Sequence, residues 1–224
     1  MQGSPADTAW TERPRSVGLI DAQYLRAAKF KVIGDKALDL LDFSERIVPR
    51  YHWRFRTYYF DAPPYRPRNN PTADQSKKFD EKEAELKAIS RLDRFIVRKG
   101  YCKITNRKGR ALDHGGALGN VSIIEQKMVD VLLATEMTRI AWSKEALHIS
   151  LVAGDSDYVA AVQAARTAGA IVRLYYFRGG DTSFGDRLFD EVDERVDLGE
   201  VLTAIRDKKP DHRRHAHPSS AKAA

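Results

Sequence analysis

Five acids fall where they could hold a divalent cation together. Asp21 closes the apolar run SVGLID, and Asp155 and Asp157 close the run LVAGDSD. Asp130 lies in EQKMVDVLLATEM, with Glu136 six residues further on. Carboxylates gathered in one place repel, which raises some of their pKa values. A hard dication removes that cost. Magnesium takes oxygen ligands, keeps several waters and is usually held by one or two carboxylates. It can activate a water and stabilise charge on a scissile phosphate. The acids therefore predict a Mg²⁺ or Mn²⁺ centre doing phosphoester chemistry, with Asp21, Asp130, Asp155 and Asp157 as its core. Glu136 stands roughly 600° around a helix axis from Asp130, so it belongs to the rim of such a site. Gly154 and Ser156 let the chain turn tightly after its strand, and Ser156 could orient a carboxylate or a water.

Each acid also has a plainer reading. An Asp at the end of a strand commonly caps the next helix. Lys127, three residues before Asp130, is a natural ion-pair partner for it. Three separated segments with acids at corresponding places favour the shared site.

Parallel strands are the elements that would position such residues. SVGLID (16–21), WRFRTYYFDA (53–62), VRKGYCKIT (97–105), ALHISLVAG (146–154) and AIVRLYYF (170–177) read as strands. Residues 22–48, broken near Gly34, read as helical, as do 79–96, 125–142 and DYVAAVQAARTAG, closed by Gly169 as its C′ residue. The Pro-rich stretch after residue 62 reads as a loop, NRKGRALDHGGALGN as a Gly-rich turn, and 185–206 as a loop with a final short helix. Strands alternating with helices imply a mainly parallel sheet of about five strands with helices on both faces. Ligands in such sheets bind beyond the carboxyl ends of the strands. Asp21 and Asp155 both fall there.

The chain has 224 residues, 42% hydrophobic and 31% charged, enough for a packed α/β core. Its formal net charge is +7, of which +4 lies between Arg206 and Ala224. A basic balance favours polyanionic partners. The lone Cys102 forms no internal disulfide, rules out a cysteine zinc cluster and fits a reducing cytoplasm. No run is long and apolar enough for a membrane span. Residues 1–15 and 207–224 read as disordered ends, the second a basic tail with His212, His215 and His217. The stretch between, 16–206, reads as one domain.

Residues 94–110 hold seven Lys/Arg and no acid. Lys99, Arg107, Lys108 and Arg110 are candidates to track a phosphate backbone. Arg54 and Arg56 lie among Trp53, Phe55, Tyr58 and Tyr59, which could stack on bases or simply fill the core. Arg66 and Arg68 are further candidates.

SVGLIDAQYL, KMVDVLLATEM and HISLVAGDSDYVAAVQAARTAGAIVRLYYF resemble the signature segments of NYN domains, PIN-like nucleases with a Rossmann-like sheet. The resemblance covers about residues 16–200. It implies metal-dependent cleavage of RNA, with metal-site roles falling on Asp21, Asp130, Glu136, Asp155 and Asp157. Three positions depart from the family pattern. Tyr24 replaces an Asn that would help position substrate, Glu136 stands where Asp is commoner, and Ala153 where Ser is usual. Two other functions stay open: a non-catalytic RNA-binding module on the same fold, and a magnesium phosphohydrolase acting on small phosphate esters. DNA also remains a possible substrate, since no feature of the sequence reads a 2′-hydroxyl.

Overall fold

The most apolar stretches form the middle of the sheet. In strand β1 (Arg15–Asp21) every residue from Ser16 to Ile20 is buried, and all five residues of β6 (His148–Val152) are buried. Such runs suit strands covered on both faces. The computed structural model describes residues 13–110, 118–179 and 185–207, without the side chains of 106–110 and 118–122. Most of both termini, the tail histidines among them, and the centre of the Gly-rich turn lie outside the described residues.

Six parallel strands form the sheet, in the order β3-β2-β1-β6-β7-β8. The others are β2 (Trp53–Asp61), β3 (Phe95–Lys99), β7 (Ile171–Tyr176) and β8 (Glu194–Asp197). Chain order reverses between β1 and β6, so the crevice expected of a doubly wound sheet opens there. The sequence predicts five strands. The sixth, ERVD, is a short, half-exposed edge strand with no apolar run to announce it.

Helices cover both faces. On one side lie α1 (Ala22–Ile33), α2 (Leu40–Arg46), α3 (Ala73–Ile89) and α7 (Leu198–Arg206). They pack on Ile20, Tyr59, Val152 and Tyr175. On the other side α4 (Val129–Trp142), α5 (Val159–Thr167) and α6 (Asp186–Glu191) pack on Leu19, Tyr58, Phe60, Leu151 and Leu174. Neighbours such as Leu19 and Ile20 feed opposite cores because side chains alternate along a strand. Each large apolar side chain buried this way contributes about 1.5–3 kcal/mol.

Several boundaries differ from the sequence reading. The helix expected at 79–96 begins at Ala73, where Thr72 and Gln75 form a capping box, and ends at Ile89. Phe95 and Ile96 belong to β3. The expected strand 97–105 divides at Gly100, where β3 ends and β4 (Tyr101–Arg110) begins. A Cβ on Gly100 would lie 2.4 Å from the Lys127 carbonyl oxygen, so only glycine lets the chain leave the sheet there. β4 pairs antiparallel with β5 (Leu118–Lys127) as a separate two-stranded arm. That pairing takes Glu125 to Lys127 out of the expected helix, and α4 starts after Met128, which turns the chain at φ 74°. Gly34 ends α1 at φ 63°, and Gly169 follows α5 at φ 85°, both as expected. No helix of the described residues is long and apolar enough to cross a membrane.

Candidate active site at the sheet switch point

Asp21 leaves β1 directly into α1. Its Oδ1 accepts the backbone N–H groups of Gln23 at 2.9 Å and Tyr24 at 3.2 Å, capping the helix. Its Oδ2 lies 3.4 Å from the phenolic oxygen of Tyr158. The same hydroxyl lies 2.7 Å from Oδ1 of Asp130, in the first turn of α4. The two carboxylates therefore converge on one phenol from residues 109 positions apart in the chain. Tyr158 itself is fully buried, with its ring in the core beneath α4 and α5.

The neighbouring turn supplies the next acid. Asp155 accepts the Asp157 N–H at 2.9 Å and so caps the short 3₁₀ turn Ser156–Tyr158. Burial pushes the Tyr158 phenol up, and the charges of Asp21, Asp130 and Asp155 add to the push. The phenol thus stays protonated, a donor facing acids on three segments. Burial also raises the Asp21 carboxyl; the Tyr24 N–H offsets part of this, and the charge of Asp130 adds to it.

The full set of expected ligands is not gathered at contact distance. Among the described residues no three His, Cys, Asp or Glu side chains are close enough to enclose a metal ion. Asp157 is exposed beyond Asp155. Glu136 is buried instead in ion pairs, with Arg98 at 3.1 Å and Arg139 at 2.6 Å. It lies about 9 Å along the α4 axis from Asp130. The arrangement nonetheless fits magnesium: the donors are all oxygens, and two carboxylates are the usual protein share for that ion. Asp21 and Asp130 would hold it, and the charge of Asp155 also acts on the phenol they share.

Several of the basic residues expected to meet a polyanion are paired within the protein. Arg54 is buried, donating to Glu45 at 2.7 Å and to the Asp93 carbonyl at 2.9 Å. This corrects its reading as a substrate contact: it braces β2 against α2. Arg56 pairs with Glu145 at 3.0 Å, Lys99 with Glu83 at 2.7 Å, and Arg66 with Asp80 at 3.0 Å. Lys127 pairs with Glu125 at 2.5 Å, across neither of the helix positions that would bring it to Asp130. Arg107, Lys108 and Arg110 have their backbone on β4, and their side chains lie outside the described residues. Tyr58 and Tyr59 are core residues, not stacking faces. Tyr24 is also buried, and its hydroxyl accepts the Phe177 N–H at 2.8 Å, so it anchors α1 to the end of β7. Its hydroxyl is thus used within the fold, at the position where the family pattern has an Asn.

Ser156 is held from an unexpected direction. The N–H of Gly185 donates to the Gly154 carbonyl at 2.8 Å, and a Cβ on Gly185 would fall 1.7 Å from Ser156 Oγ. The segment after β7 thus latches against the turn that carries Asp155. Sequence reasoning missed both Gly185 and Tyr158. Tyr158 could have been noticed as the polar-tipped aromatic directly after GDSD. Gly185, in SFGDR, carries no comparable signal.

Set beside known proteins, the chain matches the NYN domain family over residues 17–199, most of its length. It belongs to that family of PIN-like nuclease domains. Neither the curated proteins nor the solved structures include a match to it.

Proposed function

We propose that the chain is a metal-dependent endoribonuclease whose site is built from Asp21, Asp130, Asp155 and Asp157 around Mg²⁺ or Mn²⁺. The observation that carries this reading is the convergence of Asp21 and Asp130 on one buried phenol at the switch point of an NYN sheet. When bound, the metal supplies a Lewis acid for a phosphate oxygen and a lowered pKa for a water. Asp21 and Asp130 hold the charge in place. Asp155 extends the acidic rim toward the substrate side, and its N-cap bond to Asp157 keeps that turn in register. Repulsion among these acids keeps RNA phosphates out until a cation is present.

RNA would approach along the β4–β5 arm, where Arg107, Lys108 and Arg110 follow Lys103 with no acid on β4. Contacts of that kind bind the backbone of any sequence and weaken with salt.

The deciding experiment follows a labelled RNA with Mg²⁺, with EDTA, and with the Asp155→Asn variant. The reading expects cleavage only in the first case. Full activity of Asp155→Asn with magnesium would refute it. A labelled DNA and a small phosphate ester, run alongside, decide between RNA and the other two substrate classes.

One observation favours a second reading, a non-catalytic RNA-binding NYN module. Tyr24 points into the core where the family carries an amide, so that substrate contact is lost altogether. RNA binding without cleavage under every metal condition would establish it.

A further inference from the structure

We propose that Tyr158 is a positioning residue of the acid site, setting the direction of Asp130 and its separation from Asp21 so that the pair receives a dication. This rests on the metal site proposed above.

The argument starts from the single proton of a phenol. At 2.7 Å from Asp130 and 3.4 Å from Asp21, that proton goes to Asp130. Hydrogen bonds from a hydroxyl to a carboxylate are short and strong, and 2.7 Å is in their range. Asp21 Oδ2 is then left facing an oxygen lone pair with no hydrogen between. Its other oxygen is already committed to the helix cap. One unneutralised carboxylate oxygen therefore points at a fixed partner, and a cation in the adjoining space relieves the repulsion.

Rigidity is the second part. Asp130 is exposed in the first turn of α4, and its side chain accepts a hydrogen bond from Tyr158. Left alone, it would sample several rotamers and turn into solvent. Tyr158 is immobilised by full burial in the core cluster that α4 and α5 cover. The hydrogen bond thus transfers the order of the core to an exposed carboxylate. Groups that orient a metal ligand this way typically cost 10–100-fold in metal affinity when removed.

The test uses the full chain and metal alone. Mn²⁺ affinity is measured by loss of the free-ion resonance signal, and Mg²⁺ stabilisation by thermal unfolding. Three variants accompany the wild type: Tyr158→Phe, Asp21→Asn, and Leu86→Ala as a core variant in the cluster on the other face of the sheet. The expected result is about a tenfold loss of Mn²⁺ affinity in Tyr158→Phe, with unchanged affinity in Leu86→Ala. A merely structural tyrosine would lower the unfolding temperature without metal and leave affinity intact, which overturns the proposal. Wild-type affinity in Tyr158→Phe beside loss in Asp21→Asn would overturn the proposal and leave the metal site standing. No binding by the wild type would overturn both. Should Tyr158→Phe not fold, ¹³Cζ-tyrosine labelling of the intact chain replaces it. The resonance that Asp130→Asn displaces belongs to Tyr158, and Mg²⁺ must shift it in the wild type; no shift overturns the proposal.

Discussion

Asp21 and Asp61 end neighbouring parallel strands one residue out of register, and their surroundings are opposite. Asp21 pairs across the sheet with Phe60, the residue before Asp61. Asp61 is completely buried and receives two cations, Arg26 at 2.5 Å and Lys82 at 2.8 Å. Burial works to raise its carboxyl, but Arg26 and then Lys82 outweigh burial and hold it below the usual carboxylate range. Asp21 faces Asp130 and Tyr158 instead, and its carboxyl is raised. Of two acids at neighbouring strand ends, one is held by two cations and the other shares a phenol with a second acid.

Asp21→Asn should therefore raise the stability of the metal-free protein at neutral pH. The amide keeps the helix cap, since Asn caps as well as Asp, and removes a half-buried charge beside Asp130. The same variant should lose the stabilisation that Mg²⁺ confers on the wild type. Thermal unfolding with EDTA and with excess Mg²⁺ reads both effects. A lower unfolding temperature in EDTA would contradict the electrostatic account.

Removing the partners of Asp61 should have the reverse sign. The double variant Arg26→Ala, Lys82→Ala leaves a buried carboxylate without a countercharge, which costs about 3–5 kcal/mol. Adding Asp61→Asn should restore part of that loss. Urea unfolding of the three proteins checks it, and equal stability of double and triple variants would show that the charge is not the cause.

The amino-terminal end of the sheet should respond to acid. His148 is buried, its Nδ1 has no hydrogen-bond partner among the described residues, and its Nε2 lies 3.3 Å from Glu194. Burial pushes its pKa down to about 4, against the pull of Glu194. A histidine lowered on folding stabilises the native state above its unfolded pKa of about 6.5. That stability falls as pH drops toward 4, because the unfolded chain binds the proton first. Urea midpoints at pH 7, 5.5 and 4 should decline more steeply in the wild type than in His148→Leu. Parallel declines would remove His148 as the cause.

Gly185→Ala should disturb the Asp155 turn from outside it. The added methyl meets Ser156 Oγ, and overpacking of this kind costs about 1–3 kcal/mol. RNA cleavage should fall along with stability, and Ser156→Ala in the same chain should recover both, since it removes the clashing oxygen. Wild-type behaviour of Gly185→Ala would mean the latch yields freely.

Much of the fold was legible because it is written locally. Buried runs such as Ser16–Ile20 mark central strands, and Gly169 marks a helix end at a left-handed backbone angle. Placing Asp21 and Asp155 at strand ends needed only those runs and the rule that parallel sheets bind ligands at their carboxyl edge. Where strand signals were weak, as in the polar edge strand Glu194–Asp197, or merged, as across Gly100, the reading failed.

The sequence by itself determined the parallel sheet, the two apolar faces and the positions of the acids along the strands, since period and burial are properties of short segments. Tertiary structure alone decided which charges are spoken for. Arg54, Arg56, Lys99 and Glu136 all looked available and are engaged with partners between 3 and 89 residues distant. It also decided that Tyr158 stands between Asp21 and Asp130, because Coulomb forces and hydrogen bonds act over a few ångströms of space and take no account of separation along the chain.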